Sequence, residues 1–155
     1  MARSRIGLVL IAVVLPMALL CSSCGSPSSA SAATTFSKSS IKGNYAMSFA
    51  VAVGGEPISY AGGTGVIVSD GNGNLSGSES FSDTDGTVCT DATISGTYTV
   101  NPNGTGTINI SLTSSEPGCT ESFIESLAIA SGGSLVKTTN LDPNVAQLSG
   151  DWTRQ

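Results

Sequence analysis

The sequence predicts an all-β domain that closes into an eight-stranded antiparallel up-and-down barrel. Three observations predict it: few charges with many small polar residues, alternation of apolar with polar residues, and short turn sequences between the alternating segments. Of the 155 residues, 26 are Ser, 16 are Thr and 19 are Gly, and only 11% are charged. Long exposed helices need more Glu, Lys, Arg and Leu, whereas this composition is typical of strands and turns.

Eight segments with a period of two follow one another along the chain: 43–53, 58–68, 74–82, 88–100, 105–113, 120–130, 134–139 and 145–153. The gaps between them contain the Gly, Pro, Asn and Asp residues that tight turns require. No gap is long enough for a parallel crossover, so we expect every connection to be a hairpin. The alternation is clearest in the fourth segment, where one face carries Ile94, Gly96, Tyr98 and Val100.

A meander with one apolar face must cover that face. Closure into a barrel covers it and also removes the exposed edge strands. The alternative is a two-sheet β-sandwich, which usually needs a few long connections. Because all seven connections are short, the barrel is favoured.

The beginning of the chain predicts export. Arg3 and Arg5 precede an apolar run, residues 6–20, which Gly7 and Pro16 interrupt. The run is shorter than the roughly 20 residues of a transmembrane helix. A short basic stretch followed by such a run is typical of a secretory signal peptide.

Two cysteines follow the apolar run and resemble the lipidation signal of bacterial lipoproteins, in which small residues precede the modified Cys. Cys24 follows the serines 22–23, whereas Cys21 stands directly after the run. We expect residues 1–23 to be a lipoprotein-type signal peptide, with Cys24 or Cys21 as the lipidation residue. Cleavage after the Ala-Ser-Ala sequence 30–32 is the alternative and would give a freely secreted protein.

The next stretch, 24–40, is rich in Ser, Ala and Thr and is predicted to be a flexible tether. The barrel domain is then residues 41–155. This organisation places the protein in the outer membrane or periplasm as a lipoprotein, or outside the cell. A membrane would be contacted only through the N-terminal lipid anchor.

Charge and residue types exclude several function classes. The formal net charge is −5, whereas nucleic-acid binding needs a basic face. The chain contains no His, which excludes the classical Ser-His-Asp, Cys-His and His-metal sites. No enzymatic activity and no cofactor are therefore expected. The remaining two cysteines, Cys89 and Cys119, are predicted to form a disulfide, since an exported chain meets an oxidising compartment.

Alternate connections of a meander lie at the same end of the barrel. The connections near 54–57, 83–89, 114–119 and 140–144 share one end, where seven of the eleven acidic residues and both domain cysteines fall. Exposed loops are usually polar, which explains this cluster without a ligand. The alternative is a calcium site, since carboxylate and loop carbonyl oxygens are the ligands that Ca²⁺ prefers. Its candidate ligands are Asp83, Asp85 and Asp91.

Two glutamates share the parity of apolar residues and are expected to face the lumen. They are Glu79 and Glu125. A buried carboxyl group needs a partner or a proton. Lys137 is a candidate ion-pair partner, and the candidate hydrogen-bond donors are Tyr45, Tyr60 and Tyr98. These residues would form a polar spot inside a ligand-binding barrel mouth.

Three stretches of the chain resemble the repeated phrases of exported proteins from soil bacteria of the acidobacterial type: Gly43–Phe49, Asp70–Gly77 and Ile94–Thr107. That resemblance implies export and a β-rich fold but no assigned activity. At the level of the fold the chain is also similar to the lipocalin and avidin barrels. Gly43-Asn44-Tyr45 stands where lipocalins carry Gly-x-Trp, and the resemblance implies that Arg154 on the last strand stacks on Tyr45.

Two functions fit these observations. The first is a non-catalytic envelope lipoprotein that binds a small apolar or amphipathic ligand in the lumen. The second is a structural or adhesive surface module that acts through its acidic loops. Many Gly and Ala residues on the inward faces would leave room for a ligand, whereas a lumen filled with side chains would favour the second function.

Overall fold

The computed structural model describes residues 34–53, 58–141 and 147–155. Its eight strands are β1 (Gly43–Val53), β2 (Ser59–Ser69), β3 (Asn74–Asp83), β4 (Val88–Val100), β5 (Thr105–Thr113), β6 (Ser122–Ala130), β7 (Leu135–Asn140) and β8 (Gln147–Arg154). The first and last residues of every predicted segment lie within two residues of those of the corresponding strand. Turn sequences and alternation therefore locate the strands closely.

The strands form one closed antiparallel barrel in chain order. Closure is direct, because β1 pairs with β2 on one side and with β8 on the other. Met47 shows this register, since it lies opposite Gly65 of β2 and Trp152 of β8. The predicted up-and-down barrel is confirmed, and the sandwich alternative is wrong.

The lumen holds the core. Along β5 buried and exposed residues alternate strictly, with Ile108, Ile110 and Leu112 inside and Thr, Asn or Ser outside. The largest fully buried side chains are Trp152, Tyr45 and Tyr98. The rings of Tyr45 and Trp152 pack at a centroid distance of 6.3 Å. The apolar face of the meander is thus covered by the barrel itself, as the alternation requires.

Four glycines on the inward face are required by the close approach of neighbouring strands. A Cβ atom on Gly65, Gly77 or Gly96 would collide with a backbone carbonyl oxygen of the neighbouring strand. The same holds for Gly106, whose Cβ would meet the carbonyl oxygen of Thr99. These glycines allow close approach of the coiled strands. Elsewhere on the inward face, Ala61 and Gly150 do line an open cavity of the lumen.

A short N-terminal segment covers one end of the barrel, which we call the closed end. The 3₁₀ helix Lys38–Ile41 buries Ile41 completely. The Phe36 amide donates a hydrogen bond to the Pro102 carbonyl at 3.0 Å, and the Tyr98 hydroxyl donates to the Lys38 carbonyl at 3.0 Å. The predicted tether therefore ends earlier than residue 40, because Phe36 and Ile41 give this segment apolar contacts that a tether lacks.

Arg154 closes the same end from the last strand. Its guanidinium donates to the Tyr45 hydroxyl at 2.8 Å and to the Ser40 carbonyl at 3.1 Å, and it lies 5.4 Å from the Tyr45 ring centroid. The Tyr45 hydroxyl in turn donates to the Gly133 carbonyl at 2.7 Å. The predicted contact of Arg154 with Tyr45 is present, and it joins the first strand, the last strand and the N-terminal segment.

Tyr98→Phe tests the closed end. The Tyr98 hydroxyl accepts a hydrogen bond from the buried Ser69 hydroxyl at 2.8 Å and donates to Lys38. Its removal takes the hydrogen-bond partner from the buried Ser69 hydroxyl, so we expect the free energy of unfolding to fall by about 1–2 kcal/mol. Urea unfolding measures the change. Tyr60→Phe on the outer surface is the control, and an equal effect of both substitutions would contradict this role of Tyr98.

The predicted signal peptide, both candidate lipidation cysteines and residues 24–33 of the tether lie outside the described residues. Within the described ranges, no helix is long and apolar enough to span a membrane.

Candidate functional site

The end opposite the N-terminal segment is the mouth of the barrel, where β1, β3, β5 and β7 end and β2, β4, β6 and β8 begin. A disulfide joins Cys89 at the start of β4 to Cys119 in the β5–β6 connection, with a Cα–Cα distance of 5.7 Å. Next to it, the Thr90 amide and hydroxyl both donate to the Glu116 carboxylate at 2.7 Å. The predicted disulfide is confirmed, and it joins β4 to the β5–β6 connection at the mouth.

A cavity of about 280 Å³ occupies the mouth half of the lumen. Its wall is mostly apolar, with contributions from Met47, Phe49, Val51, Ala61, Phe81, Ile110, Leu112, Phe123 and Trp152. Its polar lining includes five carboxyl groups, which belong to Glu79, Asp83, Asp85, Glu121 and Glu125. Apolar walls with a few converging polar groups are typical of small-molecule sites.

Glu79 and Glu125 are the deepest of these carboxyl groups. Glu79 is 3% exposed and Glu125 is 4% exposed, which confirms that both side chains face the lumen. Burial, with a smaller contribution from the charge of Glu121, raises the pKa of Glu79 to about 7. Burial and the charge of Glu79 raise the pKa of Glu125 to about 7, although a hydrogen bond with Thr138 opposes this shift. Both groups therefore change charge near neutral pH.

The three tyrosines proposed as partners of these glutamates do not reach them. Tyr45 and Tyr98 point inward but at the closed end, where their hydroxyls donate to Gly133 and Lys38. Tyr60 points outward and is 55% exposed. The sequence did not show that Tyr60 faces outward, because the inward positions of β2 are largely small residues, which give no apolar alternation.

Lys137 was also expected inside, and this prediction is wrong. Val136 and Thr138 are the buried residues of β7, so Lys137 faces outward. Its ammonium lies 2.6 Å from the Asp151 carboxylate on the outer surface. The adjacent apolar residues Leu135 and Val136 made the phase of this short strand ambiguous in the sequence.

The structure does not bring the proposed calcium ligands together. The Asp83 carboxylate accepts hydrogen bonds from the amides of Asp85 and Thr87, at 3.0 and 2.8 Å, and these bonds lower its pKa. Asp91 is an exposed residue with φ +52°, at an irregularity in the β3–β4 register. Among the described residues, the sole cluster of three side chains with metal-ligating atoms within 4.8 Å contains the disulfide, namely Cys89, Glu116 and Cys119.

Several cavity residues were not singled out from the sequence. Glu121 precedes β6 and alternates in phase with Phe123 and Glu125, so the alternation could have predicted that it faces the lumen. Phe49, Phe81 and Trp152 were recognisable as core residues, but the sequence did not show that they border an open cavity. The comparisons give no further guide to the site, since no protein-family model, no curated protein and no solved structure matches this chain.

Proposed function

We propose that this protein is a non-catalytic exported binding protein that holds a small amphipathic ligand in its mouth cavity. The observation that carries the proposal is the buried carboxyl group of Glu79 on the wall of an otherwise largely apolar cavity. A polar group with this burial needs a partner. A ligand with an apolar body and a polar group would supply it.

The form of the cavity supports binding more than adhesion. Its volume of about 280 Å³ lies just below the usual range of small-molecule pockets, roughly 300–1,000 Å³, and suits a small ligand. The carboxylates of Asp83 and Glu116 at the mouth accept hydrogen bonds within the mouth itself, so they are less available to an external partner. Export, and a lipid anchor on Cys24 or Cys21, belong to the same proposal.

Trp152 provides the test, because it lines the cavity and is the only Trp of the chain. We expect the neutral apolar dye N-phenyl-1-naphthylamine to bind the purified protein and to change the Trp152 fluorescence. Ala61→Phe fills the cavity from β2 and is expected to weaken binding by about tenfold or more, since a blocked pocket loses its apolar contacts. Direct titration measures both affinities.

Ala46→Phe is the matched control, since it adds the same ring to an exposed outward position of β1. We expect it to bind the dye as the unaltered protein does. Absence of dye binding to the unaltered protein, or equal binding by both variants, would contradict the lumen as a binding site. The alternative, a structural or adhesive module, would then be preferred.

A further inference from the structure

The charge of the mouth cavity has one sign. Five carboxyl groups line it, and no Lys or Arg does so among the described residues. Lys137 pairs with Asp151 on the outer surface. The other described basic residues lie at the closed end, in or beside the N-terminal segment: Lys38, Lys42 and Arg154. With no protein cation nearby, the low-dielectric lumen concentrates negative potential.

Glu79 is the most deeply buried of the five carboxyl groups that line the cavity. It is 3% exposed and lines the cavity, and the causes of its raised pKa include no hydrogen bond. Glu125 has Thr138 as a hydrogen-bond partner. Asp83, in contrast, is held by the amides of its own turn. Glu79 and Glu125 are thus the groups that a ligand can satisfy.

The spacing of these groups argues against a bare metal ion. A metal site needs several ligand atoms converging on one point. Among the described residues, no three acidic side chains of the cavity bring their oxygens within 4.8 Å of one another. An ammonium group donates several hydrogen bonds and can pair with two carboxyl groups without a third converging ligand.

The remaining wall suits the apolar part of such a cation. Phe49, Phe81, Phe123 and Trp152 line the cavity, and the Phe49 and Phe81 rings lie 6.3 Å apart between centroids. Aromatic faces attract ammonium groups electrostatically and also bury alkyl chains. An anion would instead meet repulsion from the carboxylates.

From this combination we propose that the cavity binds an amphipathic organic cation, an alkyl or aryl ammonium, whose head pairs with Glu79 and Glu125 while its tail packs on the aromatic wall. The inference rests on the proposed function, because it names the class of ligand for the same cavity.

Three probes with the same chain length differ only in the charge of their head group: n-octylammonium is a cation, 1-octanol is neutral and octanoate is an anion. Each is titrated into the purified protein, and Trp152 fluorescence reports binding. Near pH 8 we expect octylammonium to bind about tenfold or more tightly than octanol, the equivalent of one charge-assisted hydrogen bond. Octanoate is expected to bind more weakly than octanol.

The double variant Glu79→Gln/Glu125→Gln identifies the groups responsible. We expect the ratio of the octylammonium and octanol affinities to fall to about threefold or less, because the amides carry no charge. Asp151→Asn is the matched control, since it makes the same change on the outer surface beside Lys137. It is expected to keep the full preference.

A pH series adds a second readout. Between pH 8 and pH 5 an alkylammonium stays charged, whereas Glu79 and Glu125 take up protons, so the preference should decrease toward pH 5. The other acidic residues that face the cavity are Asp83, Asp85 and Glu121. Strands β1, β2, β5, β7 and β8 contribute no titratable side chain to it among the described residues. The double variant lacks both Glu79 and Glu125, so we expect its preference to stay constant between pH 8 and pH 5.

The outcomes distinguish the two proposals. Binding of octanol or octanoate as tight as that of octylammonium would overturn the cation inference and leave the binding function intact. An unchanged preference in the double variant would also overturn it. No binding of any of the three probes would contradict the proposed function itself and the inference with it.

Discussion

Replacing Cys89 and Cys119 with Ala is expected to lower the free energy of unfolding by about 4 kcal/mol, the value for a bridge across a loop of this length. The two residues are 30 positions apart, so the bridge removes many conformations from the unfolded chain. In the folded protein it connects the start of β4 to the β5–β6 connection. The Thr90–Glu116 hydrogen bonds beside it would keep these parts in contact without the bridge.

Urea unfolding of the double variant, followed by Trp152 fluorescence, measures this loss. Reduction of the unaltered protein should give the same decrease. The control is Ser111→Ala/Ser122→Ala, which removes a pair of exposed hydroxyls 3.0 Å apart between β5 and β6 and should change stability by less than about 1 kcal/mol. A loss no larger than that of the control would show that the bridge does not constrain the unfolded chain.

The barrel was predictable because local rules decide it. Turn residues such as Asp70-Gly71-Asn72-Gly73 end each strand, and the Asp70 carboxylate accepts hydrogen bonds from the amides of residues 72–74. Strict alternation, as in β5, then fixes the inward face. Seven short connections leave an antiparallel meander, whose ends close when the apolar face is covered.

The errors arose where these local rules gave no signal. The inward positions of β2 are mostly small, so alternation could not show that Tyr60 faces outward. The N-terminal segment has a tether-like composition, and its packing depends on Phe36 and Ile41 meeting an end of the barrel that forms only in the folded chain. The cavity could not be predicted for the same reason. Alternation showed that Glu79 and Glu125 face inward, but the unfilled volume of the lumen depends on packing in three dimensions.

The stability of the protein is expected to fall as pH rises from about 5 to 8, in contrast to most proteins with paired carboxylates. Glu79 and Glu125 have pKa values raised from their usual 4.5 to about 7. The folded state therefore binds these protons more tightly than the unfolded state does. Stability is highest where the folded protein keeps both protons, and it declines as pH rises through 4.5 to 7.

The double variant Glu79→Gln/Glu125→Gln should remove this decline. Each raised pKa corresponds to at most about 3 kcal/mol, and because the interaction between the two groups counts only once, we expect about 3–5 kcal/mol for the pair. The variant should exceed the unaltered protein by this amount near pH 8 and match it near pH 5, where Gln resembles the protonated acid. Urea unfolding without ligand at several pH values measures both curves.

Three other acidic groups affect stability in the opposite direction and at lower pH. Hydrogen bonds lower the pKa of Asp70, Asp83 and Glu116, so they lose their stabilising charge only in more acidic solution, where the sign is opposite. Asp151→Asn, on the outer surface, should leave the decline unchanged. A flat or rising curve for the unaltered protein between pH 5 and 8 would show that Glu79 and Glu125 are not desolvated. Since desolvation of these two carboxyl groups is also what makes a cationic ligand favourable, that curve tests the physical basis of the site before any ligand is known.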